Sequence, residues 1–175
     1  LRETLFTENF GMLMDPRGGH HSRGYGITYV PRRAESIKRY APGIGVPNDA
    51  LARICPESGE FSVPRLTKWI QDYNSMAFSL GMCMRVQIAT YYNLDNLARL
   101  YEITTGIDLN RDQLLKAGER IWTIHRLFNI REGTSRKDDM PPPRMLNESV
   151  MIGNVLRPRL TEGYIQAQLD EYFDE

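Results

Sequence analysis

The sequence predicts a mainly α fold, an irregular helical domain with long Gly/Pro-rich loops. Four segments after residue 60 carry apolar residues at three- and four-residue spacing, which is the period of a half-buried helix. No segment alternates apolar and polar residues over the length of a useful strand, and no internal repeat is present. Between the periodic segments, glycine and proline interrupt the chain and predict loops.

The first periodic segment predicts a helix over residues 63–80. Ser62 is a suitable N-cap, and Pro64 fits the first turn because its missing N–H is not needed there. Gly81 suits the left-handed position that follows a helix, since glycine has no Cβ to clash. Cys83 is therefore expected two residues beyond the turn that ends this helix.

Three further helices follow the same reasoning. One is predicted from Leu94 to Thr105, with Gly106 as its stop. The next begins at Asn110, which forms a capping-box pattern with Gln113. Its predicted apolar face comprises Leu114, Leu115, Gly118, Ile121, Trp122, His125 and Phe128. The last helix begins near Thr161 and is predicted to turn inward Tyr164, Ile165, Leu169, Tyr172 and Phe173.

The helix that begins at Asn110 contains two residues, Gly118 and His125, whose roles can be predicted from their positions. Gly118 costs about 1 kcal/mol relative to alanine in mid-helix, so we expect another backbone to approach it closely. His125 fits either a hydrogen-bonded core histidine or a metal ligand, and its apolar surroundings favour the core.

The remaining chain divides into two loop-rich stretches. Residues 1–50 are rich in turn formers and predict a loop-built part of the domain with one short helix near residues 33–40, whereas residues 51–175 are predicted to form the helical part. Arg17, His20 and His21 cluster in the first stretch and fit either a binding loop or a solvated one. Residues 129–160 are charged and proline-rich, and predict an extended connection.

Composition restricts the class of protein. With 41% hydrophobic and 25% charged residues, the 175-residue chain fits one globular domain, and a net charge of zero argues against a nucleic-acid binder. No run is long enough to span a membrane and no signal peptide is recognised, so a cytoplasmic setting is expected. Cys55 and Cys83 are expected to be reduced, although they could form a disulfide. The first residue is not methionine, and we expect a fragment of a larger protein.

No phosphate loop, paired metal-ligand spacing or nucleophile elbow occurs in the sequence. Cys83 is the strongest candidate ligand, because a thiolate is better stabilised at a polar helix end than in an apolar interior. One cysteine cannot hold a metal alone, so the other ligands must come from elsewhere.

The sequence also resembles the C-terminal part of the aldehyde ferredoxin oxidoreductase family. The resemblance covers residues 65–175, with extensions at residues 15–18 and 24–29, and rests on blocks that occur in the family's order. These blocks are Asp72–Cys83, Thr105–Asp108, Leu114–Trp122, Arg126–Gly133, Arg136–Asp139, Pro143–Arg144 and Leu169–Tyr172.

The resemblance implies two cofactors, a tungsten or molybdenum bis-pterin and a [4Fe-4S] cluster. Gly81, Met82 and Cys83 look like the family's Gly-Leu-Cys motif, whose cysteine is the fourth cluster ligand. This agrees with the four thiolates that such clusters usually take. The backbone of Leu80 to Met82 is implied to contact the pterin. Arg17 is expected to suit an anionic cofactor, because its guanidinium can donate paired hydrogen bonds.

Two departures from the family pattern bear on activity. Phe78 stands where the family usually has an aspartate that reaches the pterin, and phenylalanine cannot accept a hydrogen bond. A family histidine expected downstream of Tyr29 is absent. His20 or His21 is the candidate to take over its proton transfer, since the usual histidine pKa suits acid–base chemistry.

The resemblance therefore predicts the C-terminal portion of an oxidoreductase that acts on aldehydes and carboxylic acids with ferredoxin-type electron transfer. Two alternatives stay open: a benzoyl-CoA-type ring reductase subunit of the same family, or a helical scaffold domain without cofactors. Expected partners are upstream domains of the same chain, ferredoxin or electron-transfer subunits, and a small-molecule substrate. The isolated 175 residues are expected to be inactive and metal-free.

Overall fold

The computed structural model describes residues 46–57, 62–82, 93–141, 143–152, 155–157 and 159–174. The short helix predicted near residues 33–40 lies outside these residues. The prediction of a mainly α fold is confirmed, because helices account for most of the described chain. Its elements are α1 (Asn48–Ile54), α2 (Val63–Ser79), α3 (Leu94–Thr105), α4 (Arg111–Arg131), a 3₁₀ turn (Arg136–Asp139), α5 (Pro143–Asn147), β1 (Val150–Ile152), β2 (Val155–Arg157) and α6 (Glu162–Asp174).

Helix α2 lies at the centre of the described fold and packs against α1, α3, α4 and α6. Its start was predicted correctly: the Ser62 side chain accepts a hydrogen bond from the Arg65 N–H, and Pro64 lies in the first turn. Every residue from Gln71 to Ala77 is buried, so the helix is enclosed on all sides over two turns. The neighbouring helices therefore cover the middle of α2 on every side.

Helices α2 and α4 meet at Gly118. A Cβ added to Gly118 would lie 2.1 Å from the backbone oxygen of Asp72 and 2.8 Å from Ser75 Oγ. The expected close approach of another backbone is therefore confirmed, and it explains a glycine inside a 21-residue helix. One turn further on, the buried indole N–H of Trp122 donates to the backbone oxygen of Gln71.

Helix α4 begins as predicted, with the Asn110 and Gln113 side chains capping reciprocally at 3.0 Å. Leu114, Gly118 and Trp122 are buried on its inner side. Phe128 was expected on the same face, and this prediction is wrong, because its side chain is 53% exposed. The helical period places Phe128 near Ile121, but Leu127, Phe128 and Ile130 are all exposed, so this end of α4 is not covered on that side within the described residues.

The region predicted as an extended connection contains more structure than its composition indicated. Helix α4 continues to Arg131, and Pro143 begins α5 because proline is compatible with a first helical position. Strands β1 and β2 form an antiparallel hairpin in which Met151 pairs with Leu156. The sequence shows no alternating pattern for these strands, because three-residue strands are too short to display one.

Two side chains attach the chain after α4 to the helices. Arg126 donates to both carboxylate oxygens of Asp139 at 2.7 Å. Burial raises the pKa of the Asp139 carboxyl above its usual value, and the hydrogen bonds from Arg126 oppose this shift. Phe173 of α6 lies under the guanidinium groups of Arg126 and Arg136, 5.2 Å and 5.0 Å from its ring centre. Phe173 was expected to point inward, and it remains 43% exposed at this junction.

Candidate functional site at the end of helix α2

The C-terminal end of α2 is the part of the predicted site that the structure describes. Gly81 has φ +74° and a Cβ placed there would meet nothing within 4 Å. Position 81 therefore requires glycine because of its positive φ, and not because a side chain would lack space there. The prediction that Gly81 occupies the left-handed position after the helix is confirmed.

Two backbone hydrogen bonds complete this helix end. The Gly81 N–H donates to Phe78 O at 2.9 Å, and the Met82 N–H donates to Ala77 O at 3.0 Å. This pair of bonds is the Schellman motif, which fixes the direction in which the chain leaves a helix. The next residue after Met82 in the sequence is Cys83.

The same motif determines which backbone groups remain available at Leu80, Gly81 and Met82. The Leu80 N–H also donates to the helix, to Met76 O and Ala77 O. All three N–H groups are thus used internally. Within the described residues no donor reaches the three carbonyl oxygens of this segment. The segment can therefore accept hydrogen bonds from a ligand but has no free N–H to donate.

The side chains here lie at the border of the core. Leu80 and Met82 are half-buried and pack against the apolar core, whereas Gly81 is exposed. Phe78, in the last turn of α2, is also half-buried. The helix end is consequently anchored by apolar contacts on one side and open on the other.

Polar contacts further back along α2 link it to the neighbouring helices. The Tyr172 hydroxyl donates to Gln71 Oε1 at 2.6 Å and links α2 to α6. Lys68 Nζ lies 3.1 Å from Asp72 Oδ2 and 3.5 Å from Glu119 Oε1, which links α2 to α4. Sequence reasoning missed these contacts. Their only signal was the presence of polar residues on several sides of one helix.

A cleft of about 260 Å³ lies between α1, α2 and α4, beside the N-terminal half of α2. Four acidic and four basic side chains line it, and several of them pair with one another, as Lys68 does with Asp72 and Glu119. No histidine or cysteine is among its lining residues. This composition indicates a charge-balanced groove between helices, separate from the end of α2 at Gly81.

No group of three or more potential metal ligands occurs among the described residues. Cys55 is buried in the apolar core. His125 is half-buried with its ring edge-on to Trp122 at 5.9 Å, a position expected of a histidine at the core border. Arg17, His20, His21 and Cys83 lie outside the described residues, so their predicted roles remain predictions.

Known proteins similar to the chain identify its family. The family model "Aldehyde ferredoxin oxidoreductase, domains 2 & 3" matches residues 7–175. A protein of Pyrococcus horikoshii named tungsten-containing aldehyde ferredoxin oxidoreductase is 31% identical over 147 residues. Proteins of the same name from Pyrococcus furiosus and Thermococcus kodakarensis are 30% and 29% identical over 145 residues.

The match over nearly the whole chain shows that this chain belongs to the aldehyde ferredoxin oxidoreductase family. The resemblance inferred from the sequence blocks is thus confirmed. Each alignment covers 79% of this chain but 22% of the relative, so the chain spans about a fifth of the length of these proteins. No solved structure matches it. No helix in the described part of the chain has the length and apolarity needed to cross a membrane.

Proposed function

We propose that the chain is the C-terminal portion of a tungsten (or molybdenum) pterin oxidoreductase that contains a [4Fe-4S] cluster and oxidises aldehydes to carboxylic acids with ferredoxin-type electron transfer. The family match supports the class of enzyme, and the relatives' names supply tungsten, aldehyde and ferredoxin. At the level of individual residues, the proposal is supported by the helix end at Gly81, because Cys83 follows it two residues later in the sequence.

The backbone at this helix end fits a pterin in one specific sense. Pterin rings carry N–H groups, which require acceptors, and the carbonyl oxygens of Leu80 to Met82 are acceptors without a donor among the described residues. Phe78 cannot supply the carboxylate that the family usually has at its position. The main chain would therefore provide the acceptors on this side, held in place by the Schellman motif.

Cys83 would supply one thiolate, and the remaining cluster ligands would come from the part of the protein outside this chain. When bound, the cluster and the pterin metal supply the redox chemistry, which no described side chain of this domain could provide. Burial of Met82 and Leu80 against the core would limit water access next to the thiolate, a factor that influences cluster potential. His20 or His21 would transfer the proton near the metal.

The two cysteines allow a matched test in the full-length protein. We expect Cys83→Ala to abolish or convert the electron paramagnetic resonance signal of the reduced cluster and to lower its iron content. Cys55→Ala should leave both unchanged, because Cys55 lies in the core next to α1 and not at the helix end. An unaltered signal in Cys83→Ala would remove Cys83 from the ligand set.

Metal analysis distinguishes the enzyme from a scaffold. The proposed enzyme must contain iron together with tungsten or molybdenum, whereas a scaffold that has lost its cofactors would contain none of them. Isolated as these 175 residues, the chain should hold no stoichiometric cluster, since Cys83 would be its only cluster ligand.

Phe78 gives a specific reason to consider a second activity of the same family, ring reduction of a benzoyl-CoA-type substrate. Its half-buried aromatic side chain replaces a polar contact at the helix end with an apolar one. Assays of the full-length protein with aliphatic aldehydes and with benzoyl-CoA would separate the two. For proton transfer, His20→Gln and His21→Gln should lower kcat without changing cluster content, and unchanged kcat in both would exclude these residues.

A further inference from the structure

We draw no further inference here: the strongest candidate, the cleft of about 260 Å³ between α1, α2 and α4, selects no ligand, because its acidic and basic lining residues balance and Lys68 already pairs with Asp72 and Glu119.

Discussion

Replacement of Gly118 by alanine should destabilise the fold, although alanine is the better helix former. The added Cβ would lie 2.1 Å from Asp72 O, and real Cβ contacts are essentially never below 3.0 Å. The obstacle is a backbone atom in an enclosed helix and cannot rotate away, so α2 and α4 must separate by about 1 Å. Overpacking costs about 1–3 kcal/mol, and this contact lies at the upper end. After a propensity gain of about 1 kcal/mol, we expect a net loss of about 2 kcal/mol.

Gly163→Ala is the matched control, because Gly163 is also helical and an added Cβ there meets nothing within 4 Å. We expect it to leave stability unchanged or raise it by up to about 1 kcal/mol. Urea unfolding of the chain, followed by circular dichroism and by the fluorescence of its two tryptophans, Trp69 and Trp122, measures both variants. If Gly118→Ala is as stable as the wild type, the close contact between α2 and α4 is wrong.

Three further predictions concern the site, a pH dependence and a buried ion pair. Gly81→Ala should cost about 1–2 kcal/mol in urea unfolding through backbone strain alone, and a larger loss would indicate a steric clash that the structure does not contain. Burial raises the pKa of Tyr73 from 10.0 to about 12, so its contribution to stability is present below pH 10 and is lost as the pH rises toward 12. Tyr73→Phe should remove that part of the alkaline loss, and an unchanged pH profile would contradict the shift. Arg126→Met should cost about 3–5 kcal/mol at pH 7, because it leaves the Asp139 carboxylate buried without its partner. The loss should shrink at lower pH as Asp139 becomes protonated, and Arg126→Met with Asp139→Leu should recover most of it.

The long helices could be predicted from the sequence because their signals are local. The apolar spacing, the caps and the glycine stops predicted both ends of α3 correctly and the ends of α2 to within one residue. Helix α1 was missed, since its seven residues lie where the composition changes near residue 50 and Pro47 gives no side-chain cap. The β1–β2 hairpin was missed because pairing of two three-residue strands leaves little trace in either strand alone.

The candidate site could be predicted only in part. The left-handed Gly81 follows from the end of the apolar pattern, but the use of all three N–H groups depends on bonds to Ala77 and Phe78 that a sequence does not show. Likewise, the helical period gives the direction of Phe128 but not which direction remains uncovered. Both facts depend on how α2 and α4 are placed in three dimensions.

The enclosure of α2 has a consequence for how freely its sequence can vary. On α4, substitutions can accumulate along the polar positions that face solvent, so roughly every turn offers a tolerant position. From Gln71 to Ala77 no residue is at the surface, and polar and apolar side chains alike have fixed neighbours. A scan of all single substitutions should therefore find a continuous intolerant block of two turns in α2, where the other helices show a periodic alternation of tolerant and intolerant sites.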